Sequence, residues 1–534
     1  MSLKTIPERL VPLSLPPGYY HNGTVYQAKG RWFNGNLVRF HSKMTLPVGG
    51  WRNVHLSGGA NAQLLDGKPP RGALAFRADS ATAWLVTGTP SHAYAYSNGA
   101  VTDVTPAGFT AGAIDGALSS GAYGAGTYGF GFYGVGGGAA TLSNADTWQF
   151  DVFGQLEVAC FTADGRILSA TPGSQLVLVD ATAPTGCLGV VVTPERFLVA
   201  LGGTPVGGGA ADSRIIQWAS QGTTNIWTGN PQTNSAGGAR LQSRGRLMCG
   251  RRTKNETLIW TDAELFTMIY IDAPLYYSIQ KRGDACGLIA PNAVTLVGDT
   301  AFWMGFGKFH MYDGAVHDID CDVLDVVFAL AGNAAIGTQL NDIQRSKTFA
   351  ITNSMYHEVT WYYVSTAQTN GTEPDRYVTY NYVEGTWVFG SLGRCAGIDR
   401  DVFQYPVLID AAGFLFEHEV GSAMPGALVL PFLESGPIEL SSVYGSYLIQ
   451  TQGDVVFRIE RYLPDELHLG DLQTTFFMAL NPTDAETVIG PFPHTAPTTL
   501  RITARQARVR YDQVNAVSWR LGTDRLGLVP GGLR

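Results

Sequence analysis

The chain is expected to be all-β: a β-propeller followed by a C-terminal antiparallel, sandwich-like β domain, with few short helices. Three observations predict this. An aromatic strand, a break, a second strand, a tight Asn-Gly or Asp-Gly turn and a Val-Asp strand occur together at 83–104 (AWLVTGTPSHAYAYSNGAVTDV) and again at 301–319 (AFWMGFGKFHMYDGAVHDI). Asn-Gly and Asp-Gly supply the positive φ angles of a two-residue hairpin turn, so each copy reads as paired strands. One such sheet cannot bury both faces, whereas several arranged around an axis bury them against each other. Beyond Pro425 the phrase disappears and longer alternating strands begin, as in VVFRIERY (455–462), where Val455, Phe457 and Ile459 alternate with Arg458 and Glu460.

Taken in order, residues 1–30 are punctuated by Pro and Gly and read as an extended arm. Asn34-Gly35 predicts a first hairpin, and Pro47 with Gly49-Gly50 a turn leading into Trp51. This divides the chain into 1–44 (arm and first hairpin), 45–424 (propeller) and 425–534 (second β domain). Residues 107–138 are low in complexity and hold two overlapping GxGxxG patterns. A dinucleotide loop needs a strand before it, a helix after it and an acid at the right distance, none of which is evident in the sequence, so neither pattern is read as a nucleotide site. The segment reads as a projecting loop whose Tyr123, Tyr128 and Tyr133 offer a contact surface. Hairpin grammar resumes with Asp164-Gly165, the apolar strand 198–201, RIIQWAS (214–220), and a meander over 247–271 that turns at 260–263. One helix is expected, from Asp320 or Asp322 through DVLDVVFALAG, with the acids at its N-terminus. Further hairpins fill 358–421.

Composition narrows the function classes. With 534 residues, 45% of them hydrophobic and 11% aromatic, the chain can build large cores. Charged residues make up 15%, against about 25% in typical soluble domains. The 36 basic residues comprise 8 Lys and 28 Arg, a bias that interfaces share. A net charge of −8 argues against a protein that grips nucleic acid by broad attraction. The tail is the exception, because 501–534 holds seven Arg and two Asp. Arg501, Arg505, Arg508 and Arg510 are read either as an exposed strand face or as phosphate contacts. Six widely spaced cysteines lack metal-ligand spacing and are expected to be buried free thiols. Prolines interrupt the N-terminal segment where a signal peptide needs an apolar run, and no window is long and apolar enough to span a membrane, so neither is expected.

No motif carries chemistry. Asp318, Asp320 and Asp322 imitate calcium-loop spacing without the glycine and distal glutamate that such a loop requires, and helix capping explains them better. Ser220-Gln221-Gly222 with Trp227 approaches the aspartate box of sialidase-like propellers, but its aspartate is missing, leaving blade-turn packing. GxSxG, P-loop and HExxH patterns are absent from the sequence. The expectation is therefore no enzyme, no catalytic residues, no cofactor and no metal.

QAKGRWFNGNLVRF…LPVGGWRNV, RIIQWASQGTTNIWTG, CGLIAPNAVTLVGDTAFWMGFGKFHMYDG, YVTYNYVEGTWVFG and WRLGTDRLGLVPGGLR together resemble the tail-nozzle, or packaged-DNA stabilisation (tail-hub), proteins of short-tailed bacteriophages. The resemblance implies a virion component assembled in the host cytoplasm. It would form a hexameric ring that extends the portal and tail channel, retains packaged DNA and lets double-stranded DNA pass at ejection. Its partners would be further copies of itself, portal or adaptor proteins, and fibre or needle proteins. The alternative is a glycan-binding or glycan-cleaving propeller, of receptor-binding or depolymerase type.

Overall fold

A computed structural model describes residues 8–79, 81–119, 141–328, 337–427, 429–440, 455–481 and 484–533. Seven four-stranded antiparallel sheets form a ring, and they are numbered here as blades: 1 (73–103), 2 (148–178), 3 (189–240), 4 (247–284), 5 (294–319), 6 (349–391) and 7 (396–418 with Trp51–Asn53). Innermost strands of neighbouring blades pack against one another around the axis. The ring closes in blade 7, where Trp51–Asn53 pairs with Leu415–His418 as the outermost strand. Closure leaves neither end of the ring with an unpaired sheet face.

The repeated phrase is the outer three strands of blades 1 and 5. In blade 1, Ser97 pairs with Ala100 across Asn98 (φ 48°) and Gly99 (φ 73°), the two-residue turn that the sequence predicts. In blade 5, Tyr312 pairs with Val316 instead, so Asp313-Gly314-Ala315 forms a three-residue loop. Between blades the faces bury apolar clusters, for example Phe76, Val86, Trp148 and Phe161 between blades 1 and 2. Buried tryptophans also tie blades together through their indole N–H groups. Trp148 Nε1 donates to the Thr89 carbonyl (2.8 Å), Trp303 Nε1 to that of Cys286 (2.8 Å) and Trp361 Nε1 to that of Ala293 (3.1 Å).

Both ends of the chain build the second domain, a sandwich of two sheets. In one, Arg9–Pro12 pairs with Arg525–Leu533, which in turn lies beside Val455–Leu463. In the other, Trp32–Asn36 pairs with Phe432–Ser435, next to Gln506–Gln513 and Leu472–Ala479. The segment expected to be an arm thus supplies one sandwich strand, and the expected first hairpin supplies another. Asn34-Gly35, expected at a hairpin turn, lies within a strand. A Cβ on Gly35 would stand 2.1 Å from Tyr19 Oη and 2.9 Å from the Phe432 carbonyl, so packing requires this glycine rather than a turn. The turn falls instead at Ser42 (φ 51°) and Lys43 (φ 64°), between Val38–His41 and Met44–Pro47. Along Val455–Leu463 the expected alternation holds, with Phe457 and Ile459 buried and Arg458 exposed.

The hairpin Val38–His41/Met44–Pro47 is fixed to blades 6 and 7 by a buried ion cluster. Arg39 donates to Glu419 at 2.6 and 3.0 Å, lies 3.0 Å from Glu358 and covers the Tyr356 ring. Burial, and then the neighbouring Glu419, push the Glu358 carboxyl up to about 7 against the pull of Arg39. The expected helix is a single turn, Leu324–Val327, and the end of its predicted span (329–332) lies outside the described residues. Its N-cap is Val323 with no side-chain cap, and Asp322 pairs with Arg31 (2.8 Å) rather than capping. All six cysteines are free, and five are buried. No helix among the described residues is long and apolar enough to cross a membrane.

Glu157 in blade 2 is 1% exposed, and neither carboxyl oxygen has a partner among the described residues. Burial alone pushes its pKa up to about 8. The unfolded chain releases this proton near pH 4.5, so stability falls as pH rises from there to about 8 and then levels off. Glu157→Gln removes that loss. Thermal unfolding at pH 5 should change little, whereas at pH 8.5 the variant should gain on the order of 3 kcal/mol over the parent; an equal effect at both pH values would show that the carboxyl is not the cause.

Candidate functional site

The strongest concentration of buried charge lies where the inner strands of blades 1, 2, 5, 6 and 7 begin. Arg71, just before blade 1, donates both guanidinium nitrogens to Glu373 of blade 6, each at 2.7 Å. Lys347 Nζ donates to Glu373 (3.0 Å), to Asp115 (2.6 Å) and to the Thr372 carbonyl (2.7 Å). The side chains of Arg71 and Lys347 are 2% and 0% exposed. Two cations are therefore balanced by two acids, Glu373 inside and Asp115 half-exposed. Cys395 Sγ lies 3.7 Å from Glu373, and burial, then that neighbouring acid, raise its thiol well above the ordinary value.

Side chains cross the axis at the same level. Asn292 Nδ2 donates to the carbonyls of Arg71 (2.9 Å) and Trp148 (3.3 Å), while Gln149 Nε2 donates to that of Met248 (2.7 Å). These bonds leave a cavity of only about 70 Å³ among Arg71, Asn292, Lys347 and Cys395. Among the described residues, these bonds bridge blades across the axis and leave no broad tunnel at this level.

This chain of charges roots the glycine- and tyrosine-rich insert. Ala117–Ser119 pairs with Thr141–Ser143, and below them Gly116 and Gln344 exchange two hydrogen bonds (3.0 and 3.1 Å). Ala145 N donates to Ser346 Oγ (3.0 Å), and Asp115 takes the Lys347 ammonium. Tyr123, Tyr128 and Tyr133, singled out in the sequence, lie outside the described residues.

Beside this root opens a cavity of about 280 Å³ whose wall includes Asn144, Asp146, Arg246, Asp262, Phe306 and Arg345. Phe306 is 46% exposed, with the Arg345 guanidinium 5.1 Å from its ring centre. Asn144 Oδ1 is buried without a partner among the described residues. Asp146 and Asp262 already accept backbone N–H groups, from Ala113 (2.8 Å) and Arg246 (2.9 Å). An aromatic face beside amide, carboxylate and guanidinium groups can hold a hydroxyl-rich ligand.

Along Gln506–Gln513, Arg508 and Arg510 are half-buried and alternate with buried Val509 and Tyr511. Arg508 pairs with Glu434 and forms a two-pronged contact with Glu486 (2.6 and 2.7 Å), while Arg510 pairs with Asp512 (2.8 Å). Arg505 donates to Asn481 (3.2 Å). Arg501 is exposed on the other sheet, on Thr498–Ala504. Structure thus brings Arg508 and Arg510 together and satisfies them internally, with Phe477 and Phe432 beneath their guanidinium groups at 4.9 and 4.1 Å. The approximate aspartate box is packing: Trp227 is buried between blades 2 and 3. Among the described residues no group of three His, Cys, Asp or Glu side chains could hold a metal.

Sequence reading also missed a buried polar network in the sandwich. Thr474 Oγ1 lies 2.6 Å from His494 Nε2, whose Nδ1 faces Glu466 at 3.0 Å; Tyr462 Oη reaches the same Nε2 (2.9 Å) and also meets Asp524. Burial holds His494 down at about 4 and pushes Glu466 up to about 7 and Asp524 to about 6. A hydroxyl, an imidazole and an acid stand in line, yet Thr474 and His494 are 0% exposed, so the arrangement serves the core.

No protein-family profile matches the chain, and no curated protein does. Solved structures similar to it include PorZ, a bacterial surface component of the type-IX secretion system of Porphyromonas gingivalis (9% identity, 83% of this chain and 46% of that one, TM-score 0.34). An exo-beta-1,3-galactanase from Phanerochaete chrysosporium matches at 9% identity over 90% of this chain and 100% of that one (TM-score 0.27). YCF48 from Cyanidioschyzon merolae matches at 10% identity over 69% and 98% (TM-score 0.32). This chain spans less than half the length of PorZ. The expectation that the chain is no enzyme is corrected here, because the galactanase and a further glycoside hydrolase stand among these similar structures. At such TM-scores the likeness assigns no reaction to this chain.

Glu373→Gln should leave Arg71 without a counter-charge and Lys347 with Asp115 alone, and cost about 3 kcal/mol in denaturant unfolding, whereas Asp115→Asn, at a half-exposed acid, should cost under about 1 kcal/mol. Proteolysis within 107–146 should accelerate in the first variant. Equal losses in the two would show that the chain of charges does not root the insert.

Proposed function

We propose that the chain is a ring-forming structural protein of a short-tailed phage virion, a tail nozzle or hub whose copies together wall a conduit for DNA. The phrases quoted from the sequence suggest the class, and one structural observation carries the assembly. In blade 4 the hairpin Glu264–Asp272/Tyr276–Asp284 has nine-residue strands, longer than any other strand in the propeller, and ends in Ile271 and Leu275, 48% and 68% exposed. An exposed apolar tip on a long arm suits insertion into a different surface of the next copy, the head-to-tail contact from which rings close. The crossed propeller axis supports a conduit between copies rather than through one propeller. The arginines matched by acids on the sandwich support a wall that does not hold passing phosphates. Portal or adaptor and fibre proteins would be the neighbours along the channel.

The second reading is a propeller directed at glycans, by binding or cleavage. The 280 Å³ cavity, with Phe306 and the unpartnered Asn144 in its wall, favours it.

Light scattering after size exclusion, and class averages of particles, should give a six-fold ring. Ile271→Asp with Leu275→Asp should yield monomers of unchanged unfolding temperature; a monomeric parent at high concentration, also with the portal present, would remove the ring. Retention on host surface polysaccharide, lost in Phe306→Ala, would replace the first reading by the second.

A further inference from the structure

A separate cavity of about 570 Å³ lies where blades 6 and 7 meet the segment leading into the sandwich. Its wall includes Trp51, Arg376, Arg394, Asp410 and Ala427. Sites of this volume hold small molecules. Its two arginines are unusual. Arg394 is 6% exposed; its Nε contacts His418 Nε2 (3.0 Å), its Nη1 donates to the Gly393 carbonyl (2.7 Å), and its Nη2 has no partner among the described residues. Arg376 Nε is likewise buried and unpartnered. Neither arginine forms an ion pair with a described carboxylate, although two acids lie in the same wall. Asp375 is taken by four donors of its own loop: Ser365 N and Oγ (both 2.7 Å) and Thr369 N and Oγ1 (3.0 and 2.6 Å). Asp410 Oδ1 accepts the backbone N–H groups of Ala412 (3.0 Å) and Phe414 (2.9 Å).

A guanidinium removed from water without a counter-charge is costly, and the flanking rings of Phe416 (4.5 Å) and Trp51 (5.3 Å) offset only part of that cost. Burial, the larger cause, lowers the pKa of Arg394 from its ordinary value and holds His418 well below its own. His418 is thus a neutral acceptor that does not compete with Arg394 for an anion. A planar fork of donors matches the geometry of carboxylate and phosphate oxygens.

We propose that this cavity is a binding site for a small ligand bearing an oxyanion, a carboxylate or a phosphate group, received by the guanidinium groups of Arg394 and Arg376 in its wall. The bound oxygens supply the counter-charge that the fold itself omits. The site is independent of the conduit and of the cavity beside Phe306.

The test is calorimetry and thermal unfolding of the full chain with inorganic phosphate, glucuronate and, as the uncharged control, glucose, at matched ionic strength. Saturable binding of phosphate, glucuronate or both is expected, with none for glucose, and the responding anion identifies which oxyanion the site prefers. Arg376→Met and Arg394→Lys should each weaken binding at least tenfold. Should Arg394→Lys fail to fold, Arg376→Met decides alone. Absence of saturable anion binding to the parent, or unchanged affinity in the variants, overturns the proposal.

Discussion

Closure of the ring is the constraint from which the other features follow. Seven twisted sheets bury their faces only if the last meets the first, and here the last sheet lacks a strand until Trp51–Asn53 joins it. Arg52 bonds Glu417 across 365 residues of sequence at the same seam. Once the circle is shut, the lead-in to blade 1 and the far loop of blade 6 become neighbours, which lets Arg71 and Glu373, 302 residues apart, form their two-pronged contact. The insert between blades 1 and 2 takes its anchorage from that contact. The arginine-lined cavity also belongs to the seam, since Trp51 stands in its wall together with residues of blades 6 and 7.

Charge is scarce in this chain and is largely spent internally. Arg39 is shared by two acids, Lys347 by two, and Arg508 by two. Buried pairs of this kind add little net stability beyond an apolar substitute, but they are costly to break, so they fix which elements meet. Arg394 and Arg376 depart from the pattern, being enclosed cations whose neighbouring acids are committed elsewhere.

Much of the architecture was legible because its signals are local. The phrase at 83–104 and 301–319 became the outer strands of two blades, and the turn at Asn98-Gly99 has the backbone that those residue types favour. Local signals misled where tertiary contact decides. Asn34-Gly35 looks like a turn, yet its glycine exists to admit Tyr19 and the Phe432 backbone. Residues 9–12 looked irregular and 32–36 looked like a local hairpin because their strand partners lie hundreds of residues away, and the stretch Leu324–Val327 closes only one helical turn. The candidate sites were almost wholly illegible. Arg71, Asp115, Lys347 and Glu373 are isolated charges in unremarkable loops, and no spacing links them. Arg508 and Arg510 were visible as a basic cluster, but Glu434 and Glu486, the acids that neutralise Arg508, come from segments distant in sequence.

Both the seventh blade and the sandwich need residues from near the start of the chain and residues synthesised hundreds of positions later. A nascent chain can therefore complete blades 1 to 6 by itself while its early strands wait for partners, Arg9–Pro12 for Arg525–Leu533 and Trp51–Asn53 for Leu415–His418. A prematurely terminated product would keep an open sheet edge and an unfinished sandwich. Translation through Arg525–Leu533 thereby acts as a checkpoint, withholding the finished sandwich from copies that stop before it.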